Sequence, residues 1–371
     1  MILANDFQRQ WQEIRQDALE AFERVGASGW YVLGREVRAF EEALAARWRL
    51  EHCVGLASGL DAIEISLRTL GCQPGDRVLT TPVSAFATTL AILKLGAVPV
   101  FADTDERGLL DLDRCCEVLR RRPEIRFLVP VHLFGHALDP ARLRAMREEF
   151  GLKIVEDCAQ SIDACFQGEL TGSAGHMAAT SFYPTKNLGA MGDGGAILTR
   201  DPDLAARARA LRDYGQSSKY CHLYCGYNSR LDELQAAFLR QACLPRLERW
   251  TRRRREIAAA YLARIRQANV RVVSAPEGSE SCWHLFPVQV ADGEQGGLLE
   301  HLKASRVTAG IHYPIAIPDQ AALKDAAFEL ADDCQVARRF CSREVSLPIH
   351  PYLTDPEVDQ VVGTVNAWRG V

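Results

Sequence analysis

Apolar positions change their spacing along this chain in a regular way. Val54–Ala57 is a short unbroken apolar run, the mark of a buried strand. Beyond it Leu60, Ile63, Leu67 and Leu70 fall three or four apart, which predicts a helix over Gly59–Leu70. The alternation repeats. Val78–Thr81 reads as a strand, with Ser84 placed to cap the helix that follows. Ala97–Phe101, Phe127–Val131 and Lys153–Glu156 are further short strands between helical stretches, and Ser181–Tyr183 and Gly195–Thr199 read as later strands of the same sheet. Strands alternating with helices predict an α/β fold around a largely parallel sheet.

Leu231, Leu234 and Phe238 share one face of a helix whose start is marked by Asn228 and Ser229. The character of the chain changes near Pro245, and a smaller α/β segment runs on to Val371. The expected division is a large domain over 1–245, including an N-terminal helical segment, and a small one over 246–371. Arg252–Arg255 is a run of four arginines, read as a solvated helix face because the helical pattern continues through Ile257–Tyr261.

The chain has 371 residues, 47% of them hydrophobic, enough for a sizeable buried core. A formal net charge of −4 argues against nucleic acid and anionic membrane as partners. The 12 cysteines form no CxxC pair, a scatter expected of reduced thiols in a cytoplasmic protein. Met1–Arg15 carries polar and charged residues throughout, so no signal peptide and no membrane span is expected. His132 and His136 have an HxxxH spacing, but Gly135 stands between them just after a strand, and no metal site is expected there.

The chemistry centres on Lys186. It lies in Ser181-Phe-Tyr-Pro-Thr-Lys-Asn-Leu-Gly, with Gly192-Asp-Gly-Gly shortly after, and suits a covalent amine that condenses with the aldehyde of pyridoxal phosphate. Asp157 follows a strand, at the edge where open α/β sheets bind ligands, and its carboxylate is placed to keep a pyridine nitrogen protonated. Ser58-Gly59 marks a strand-to-helix junction, a seat for a phosphate to which Ser181 adds a hydroxyl. Phe86 is placed to lie on the ring.

Asp157, Ser181 and Lys186, in that order and spacing, resemble the DegT/DnrJ/StrS-type sugar aminotransferases. Further marks are Tyr31-Val-Leu-Gly-Arg-Glu, Gly71-Cys-Gln-Pro-Gly-Asp, Leu95-Gly-Ala-Val-Pro-Val-Phe, Glu156-Asp-Cys-Ala-Gln, Gly226-Tyr-Asn-Ser-Arg-Leu-Asp-Glu-Leu-Gln-Ala and His312-Tyr-Pro. The resemblance runs from about Gly29 to Pro348. It implies the pyridoxal-phosphate transferase fold of type I, like that of aspartate aminotransferase, and a homodimer with shared active sites. It makes Lys186 the Schiff-base lysine and proton shuttle, sets Asp157 on the ring nitrogen and Gln160 on the phenolic oxygen, and stacks Phe86 on the ring. Gly59, Leu60 and Ser181 would hold the phosphate, joined by Asn228 of a neighbouring subunit. Leu60 departs from the threonine common in the family and drops one hydroxyl contact. The Gly59-Leu60-Asp61-Ala62 version, with Tyr183, Lys219, His312 and Tyr313 as substrate residues, is similar to the branch that aminates 3-keto sugars on nucleotide carriers. The implied reaction takes an amino group from L-glutamate through pyridoxamine phosphate to the sugar. Amination of a 4-keto sugar or of a cyclitol ketone remains open, as does a regulatory or scaffold protein keeping the fold. A sugar dehydratase, which carries histidine in place of the lysine, is disfavoured by Lys186.

Overall fold

The computed structural model describes residues 1–370. Its main sheet has eight strands in the spatial order His52–Leu56, Gly195–Thr199, Met177–Ser181, Lys153–Asp157, Phe127–Val129, Arg77–Thr80, Val98–Phe101, Glu329–Leu330. Gly195–Thr199 runs antiparallel to both of its neighbours, and every other pairing is parallel. The expected α/β fold with a mostly parallel sheet is what forms. The last strand comes from the C-terminal third of the chain and pairs with the edge at Val100 and Phe101.

Sheet strands buried on both faces are continuous in apolar residues, and helices cover the two sides. On one side Leu79, Leu128 and Ile154 meet Leu119, Leu143 and Phe340. On the other, Val78, Val129 and Val155 meet Ile63, Leu67 and Ile92. A second sheet of three antiparallel strands, Arg271–Val272, Phe286–Gln289 and Glu344–Leu347, has its own core around Tyr261, Leu298 and Val361. Ile2 packs into that core from the opposite end of the chain.

Some elements differ from expectation for local reasons. Ser84 does not cap the helix Phe86–Lys94. That helix starts from Ala85 with no side-chain cap, and the Ser84 hydroxyl turns to Ala85 O and Thr88 Oγ1. The expected strand Ser181–Tyr183 ends at Ser181, because the chain then turns over Pro184, closed by the Lys186 N–H to Tyr183 O bond at 2.8 Å. The helix carrying Phe238 begins only at Glu233, leaving Asn228 and Ser229 in the preceding loop and Leu234 exposed. Ser229 instead accepts from Ala57 N–H and donates to Asp61, tying that loop to the start of helix Gly59–Thr69. Nor is the arginine run wholly solvated. Arg254 is buried and donates to the carbonyls of Trp283, His284 and Ile349, which binds its helix, Leu247–Arg264, to the backbone beside it.

Glu233 has a structural role that its motif does not announce. Helix Arg35–Trp48 starts at Gly34, which has no side chain to cap it. The Glu233 carboxylate does so from 199 residues away, accepting from the N–H groups of Gly34, Glu36 and Val37 at 2.8–2.9 Å. Negative charge at a helix N-terminus is favourable on two counts, hydrogen bonds and dipole. Glu233→Ala is expected to lower unfolding stability by about 2 kcal/mol, read as a shifted midpoint in urea with unchanged slope.

Candidate active site

The carboxyl ends of strands His52–Leu56, Met177–Ser181 and Lys153–Asp157 open on one edge of the sheet. A cavity of about 590 Å³ lies there, lined by Ser58, Gly59, Thr88, Asp157, Ser181 and Lys186 among others. The space is that of a small-molecule site. Tyr183, His312 and Tyr313 line it too, as does Leu60, so residues 253 positions apart in sequence meet at one opening.

At its base the phosphate seat is shaped by close approach. Helix Gly59–Thr69 starts at Ser58, whose hydroxyl accepts from Asp61 N–H at 3.1 Å. The first-turn amides of Gly59 and Leu60 have no intrahelical partner and point at the cavity end of a helix dipole, an arrangement that favours an anion. A Cβ on residue 59 would stand 2.6 Å from Ser181 Cβ, so the helix start and the Ser181 hydroxyl share one small cradle that only glycine permits. Gly59→Ala is expected to weaken pyridoxal phosphate binding by roughly 5- to 150-fold in a fluorescence titration, since overpacking of this kind costs on the order of 1–3 kcal/mol.

Asp157 ends its strand with the carboxylate held on both oxygens. Thr88 Oγ1 donates to Oδ2 at 2.8 Å and Ala159 N–H donates to Oδ1 at 3.0 Å. The backbone is fixed on either side, by Asp157 N–H to Pro130 O and His132 N–H to Asp157 O. Its neighbour Glu156 points the other way and accepts from the N–H groups of Gly172, Ala174 and Gly175 and from His132 Nε2. Ligand atoms of His132, Glu156 and Cys158 do approach within 4.8 Å of each other. The first two are committed, His132 Nδ1 accepting from Leu138 N–H and Glu156 taking four donors, and His136 bonds elsewhere, to Ser281. The HxxxH pair is therefore two separate structural histidines.

Lys186 is half-buried at the cavity wall. Burial pushes its amine down to about 8, against the opposing pull of Asp157 and Cys282. A lysine with its ordinary pKa holds almost no free amine at neutral pH; a value near 8 leaves roughly a tenth at pH 7. No side chain among the described residues hydrogen-bonds its Nζ. A free amine, a fixed carboxylate and an anion cradle around one cavity fit an aldehyde-bearing pyridine phosphate.

The remaining predicted residues are placed as follows. Gln160 is buried, accepting from Phe134 N–H at 2.6 Å and donating to the Tyr313 hydroxyl at 3.2 Å. Phe86 is half-buried against the apolar core, and its neighbours Ala85 and Ala87 line the cavity. Asn228 and Lys219 are exposed and lie outside the cavity, Lys219 sitting over the Tyr220 ring. Thr88 and His284 were not anticipated. Thr88 lies two residues past Phe86 in the first turn of helix Phe86–Lys94, so its nearness to that residue was available as a signal. His284 lines the cavity from a distant loop and is kept neutral by burial and by Lys186.

The fold and this site define a pyridoxal-phosphate-dependent transaminase of fold type I. Residues 12–366 match the model of the DegT/DnrJ/EryC1/StrS aminotransferase family, and the chain belongs to that family. It is 40% identical over 366 residues to the erythromycin biosynthesis sensory transduction protein EryC1 of Saccharopolyspora erythraea, covering 98% of each chain. It is 39% identical to dTDP-3-amino-3,4,6-trideoxy-alpha-D-glucose transaminase of Streptomyces venezuelae, covering 98% of this chain and 95% of the relative. In structure it is similar to S. venezuelae DesV in complex with a ketimine intermediate, with a TM-score of 0.93 at 38% identity over 99% of this chain and 98% of the other.

Proposed function

We propose that this transaminase moves an amino group from L-glutamate to the C3 ketone of a 6-deoxyhexose carried on a nucleoside diphosphate. The observation that carries the reading is the joining of the Lys186–Asp157 site with Tyr183, His312 and Tyr313 in one cavity. The similarity to a transaminase named for a dTDP-3-amino sugar supports the position of amination.

Bound pyridoxal phosphate supplies an aldehyde to take up the amine and a cationic ring to take up electrons. Gly59, Leu60 and Ser181 hold its phosphate. Asp157 keeps the ring nitrogen protonated, with Thr88 fixing the carboxylate. Gln160 reaches the phenolic oxygen and Phe86 the ring face. Lys186 Nζ accepts a proton from the donor carbon and returns one to the sugar carbon. Tyr183, His312 and Tyr313 orient the sugar.

Asn228 and Lys219 act across a homodimer, Asn228 on the phosphate and Lys219 on the nucleotide. Their position outside this chain's own cavity supports that reading, as do the exposed side chains of Trp30, Tyr31, Tyr220, Leu223 and Tyr224. Sedimentation is expected to give twice the chain mass. Residues 1–245 form the cofactor-holding domain and 246–371 the domain that completes the sugar side. Among the described residues no helix is long and apolar enough to cross a membrane, and all twelve cysteines are free thiols, which supports a cytoplasmic setting.

The test is a two-stage assay. L-glutamate alone should release 2-oxoglutarate once per site. The glutamate-treated protein should then aminate a dTDP-linked 3-keto-6-deoxyhexose. Amination of only a 4-keto sugar or a cyclitol ketone would overturn the sugar assignment, and no release of 2-oxoglutarate would overturn the donor.

A further inference from the structure

Strand Glu344–Leu347 carries two buried polar side chains at the cavity wall. Glu344 is fully buried and Ser346 is 3% exposed. They connect to His312, which lines the cavity together with Ser346. His312 N–H donates to Glu344 Oε2 at 2.6 Å, Ser346 Oγ lies 2.5 Å from Glu344 Oε1, and His312 Nδ1 lies 2.9 Å from Ser346 Oγ. The geometry has little slack. Gly310 and Ser346 exchange both backbone hydrogen bonds, at 2.8 and 3.1 Å, and a Cβ on residue 310 would come within 3.2 Å of His312 Cε1. The Glu344 carbonyl is held by Gln295 Nε2 at 2.6 Å. Among the described residues the other ring nitrogen, His312 Nε2, has no partner in the protein.

We propose that Glu344 and Ser346 are positioning residues that select the tautomer of His312, and so decide whether its Nε2 gives or takes a hydrogen bond in the cavity. This rests on the reading of His312 as a sugar-orienting group. Glu344 Oε2 is engaged by a backbone N–H, so a proton on the carboxyl sits on Oε1 and donates to Ser346 Oγ. The Ser346 hydroxyl must then donate to His312 Nδ1, which leaves hydrogen on Nε2. Loss of that proton reverses the chain. The Oε1–H bond breaks as a new O–H forms at Ser346, the former Ser346 hydrogen passes to Nδ1, and the Nε2 hydrogen leaves through the cavity. One proton departs, the ring stays neutral, and Nε2 becomes an acceptor.

The surroundings permit this switch near neutral pH. Burial pushes the Glu344 carboxyl up to about 8, only partly offset by Ser346 and the His312 N–H. Burial, then Lys186, pushes His312 down to about 4, so its ring stays uncharged while Glu344 titrates. The other titratable groups facing the pair are Tyr313 and Cys341, both pushed up by burial and neutral in this range, and His284, kept neutral. Arg343, next in the chain, turns outward to Asp292, and Gln289 opposite Glu344 is uncharged.

The experiment follows the ring nitrogens of His312 by long-range ¹H–¹⁵N correlation. It uses full-length protein labelled with ¹⁵N-histidine and loaded with pyridoxal phosphate, with the signal assigned by its loss in His312→Asn. In the wild type, hydrogen is expected on Nε2 below about pH 8 and on Nδ1 above it. Glu344→Gln should stay Nε2–H throughout, because its amide oxygen still serves the His312 N–H while its NH₂ can only donate to Ser346. Ser346→Ala should show one tautomer distribution at every pH. KM for the keto sugar should change severalfold across the same midpoint in the wild type and stay flat in Glu344→Gln. A wild-type tautomer that never changes, or a switch that survives in either variant, would overturn the proposal. The nitrogen spectra need no sugar, so they decide this point even if the substrate assignment fails.

Discussion

Lys186→Ala is expected to lose at least about 10³-fold in kcat, because in the proposed mechanism one side chain serves as both covalent anchor and proton carrier. The variant should fold, since Lys186 Nζ makes no hydrogen bond that holds structure among the described residues. It should also leave the phosphate seat intact, so pyridoxal phosphate would still bind, but without fixation by borohydride. The pH dependence has a defined sign. The amine, ordinarily near 10.5, is pushed down to about 8 by burial, so its neutral form is favoured in the folded state. Capture of added pyridoxal phosphate by the apoprotein should therefore accelerate as pH rises through about 8 and level off above it. The linked stability runs in the same direction. Burying a charged lysine is unfavourable, so this residue destabilises the apoprotein most below pH 8 and ceases to do so as pH rises through 10.5. Lys186→Met is expected to be more stable than the wild type at neutral pH, measured by urea unfolding of the apoprotein.

Asp157→Asn should follow with a loss of roughly 10²–10³ in kcat, the range found when one preorganised electrostatic contact is removed from a transition state. The wild-type carboxylate accepts from Thr88 and Ala159 on separate oxygens. An asparagine has one acceptor oxygen, so either Thr88 or Ala159 then faces an NH₂ group, and the negative charge that holds a ring proton is gone. The expected signature is specific: slowed release of 2-oxoglutarate from L-glutamate in a single turnover, with the Lys186 linkage still fixed by borohydride. Thr88→Val should give a smaller loss of the same kind, because it frees the carboxylate without removing its charge.

Much of this was legible in the sequence because the relevant signals were local. Strand Lys153–Asp157 and helix Gly59–Thr69 announce themselves through apolar spacing, and Asp157 and Ser181 stand at strand ends where ligand sites occur, with Lys186 in the turn just beyond. What escaped depends on side chains meeting across long sequence separations. Glu233 caps a helix almost 200 positions away. Glu344 sits behind the cavity wall, Ser346 lines it, and neither carries a motif of its own. Arg254 looked solvated because it stands in a charged run, yet the carbonyls it binds come from residues 283, 284 and 349. Boundaries failed where a polar side chain found a nearer partner, as Ser84 did with Ala85 and Thr88.

A covalent bond between Lys186 and the cofactor aldehyde is the central expectation. Borohydride reduction of the pyridoxal phosphate-loaded protein, followed by proteolysis and mass spectrometry, reads that bond directly. The pyridoxyl mass is expected on the peptide containing Lys186 and on no other. Its appearance on a different lysine, or its absence from a protein that still binds the cofactor, would contradict the account.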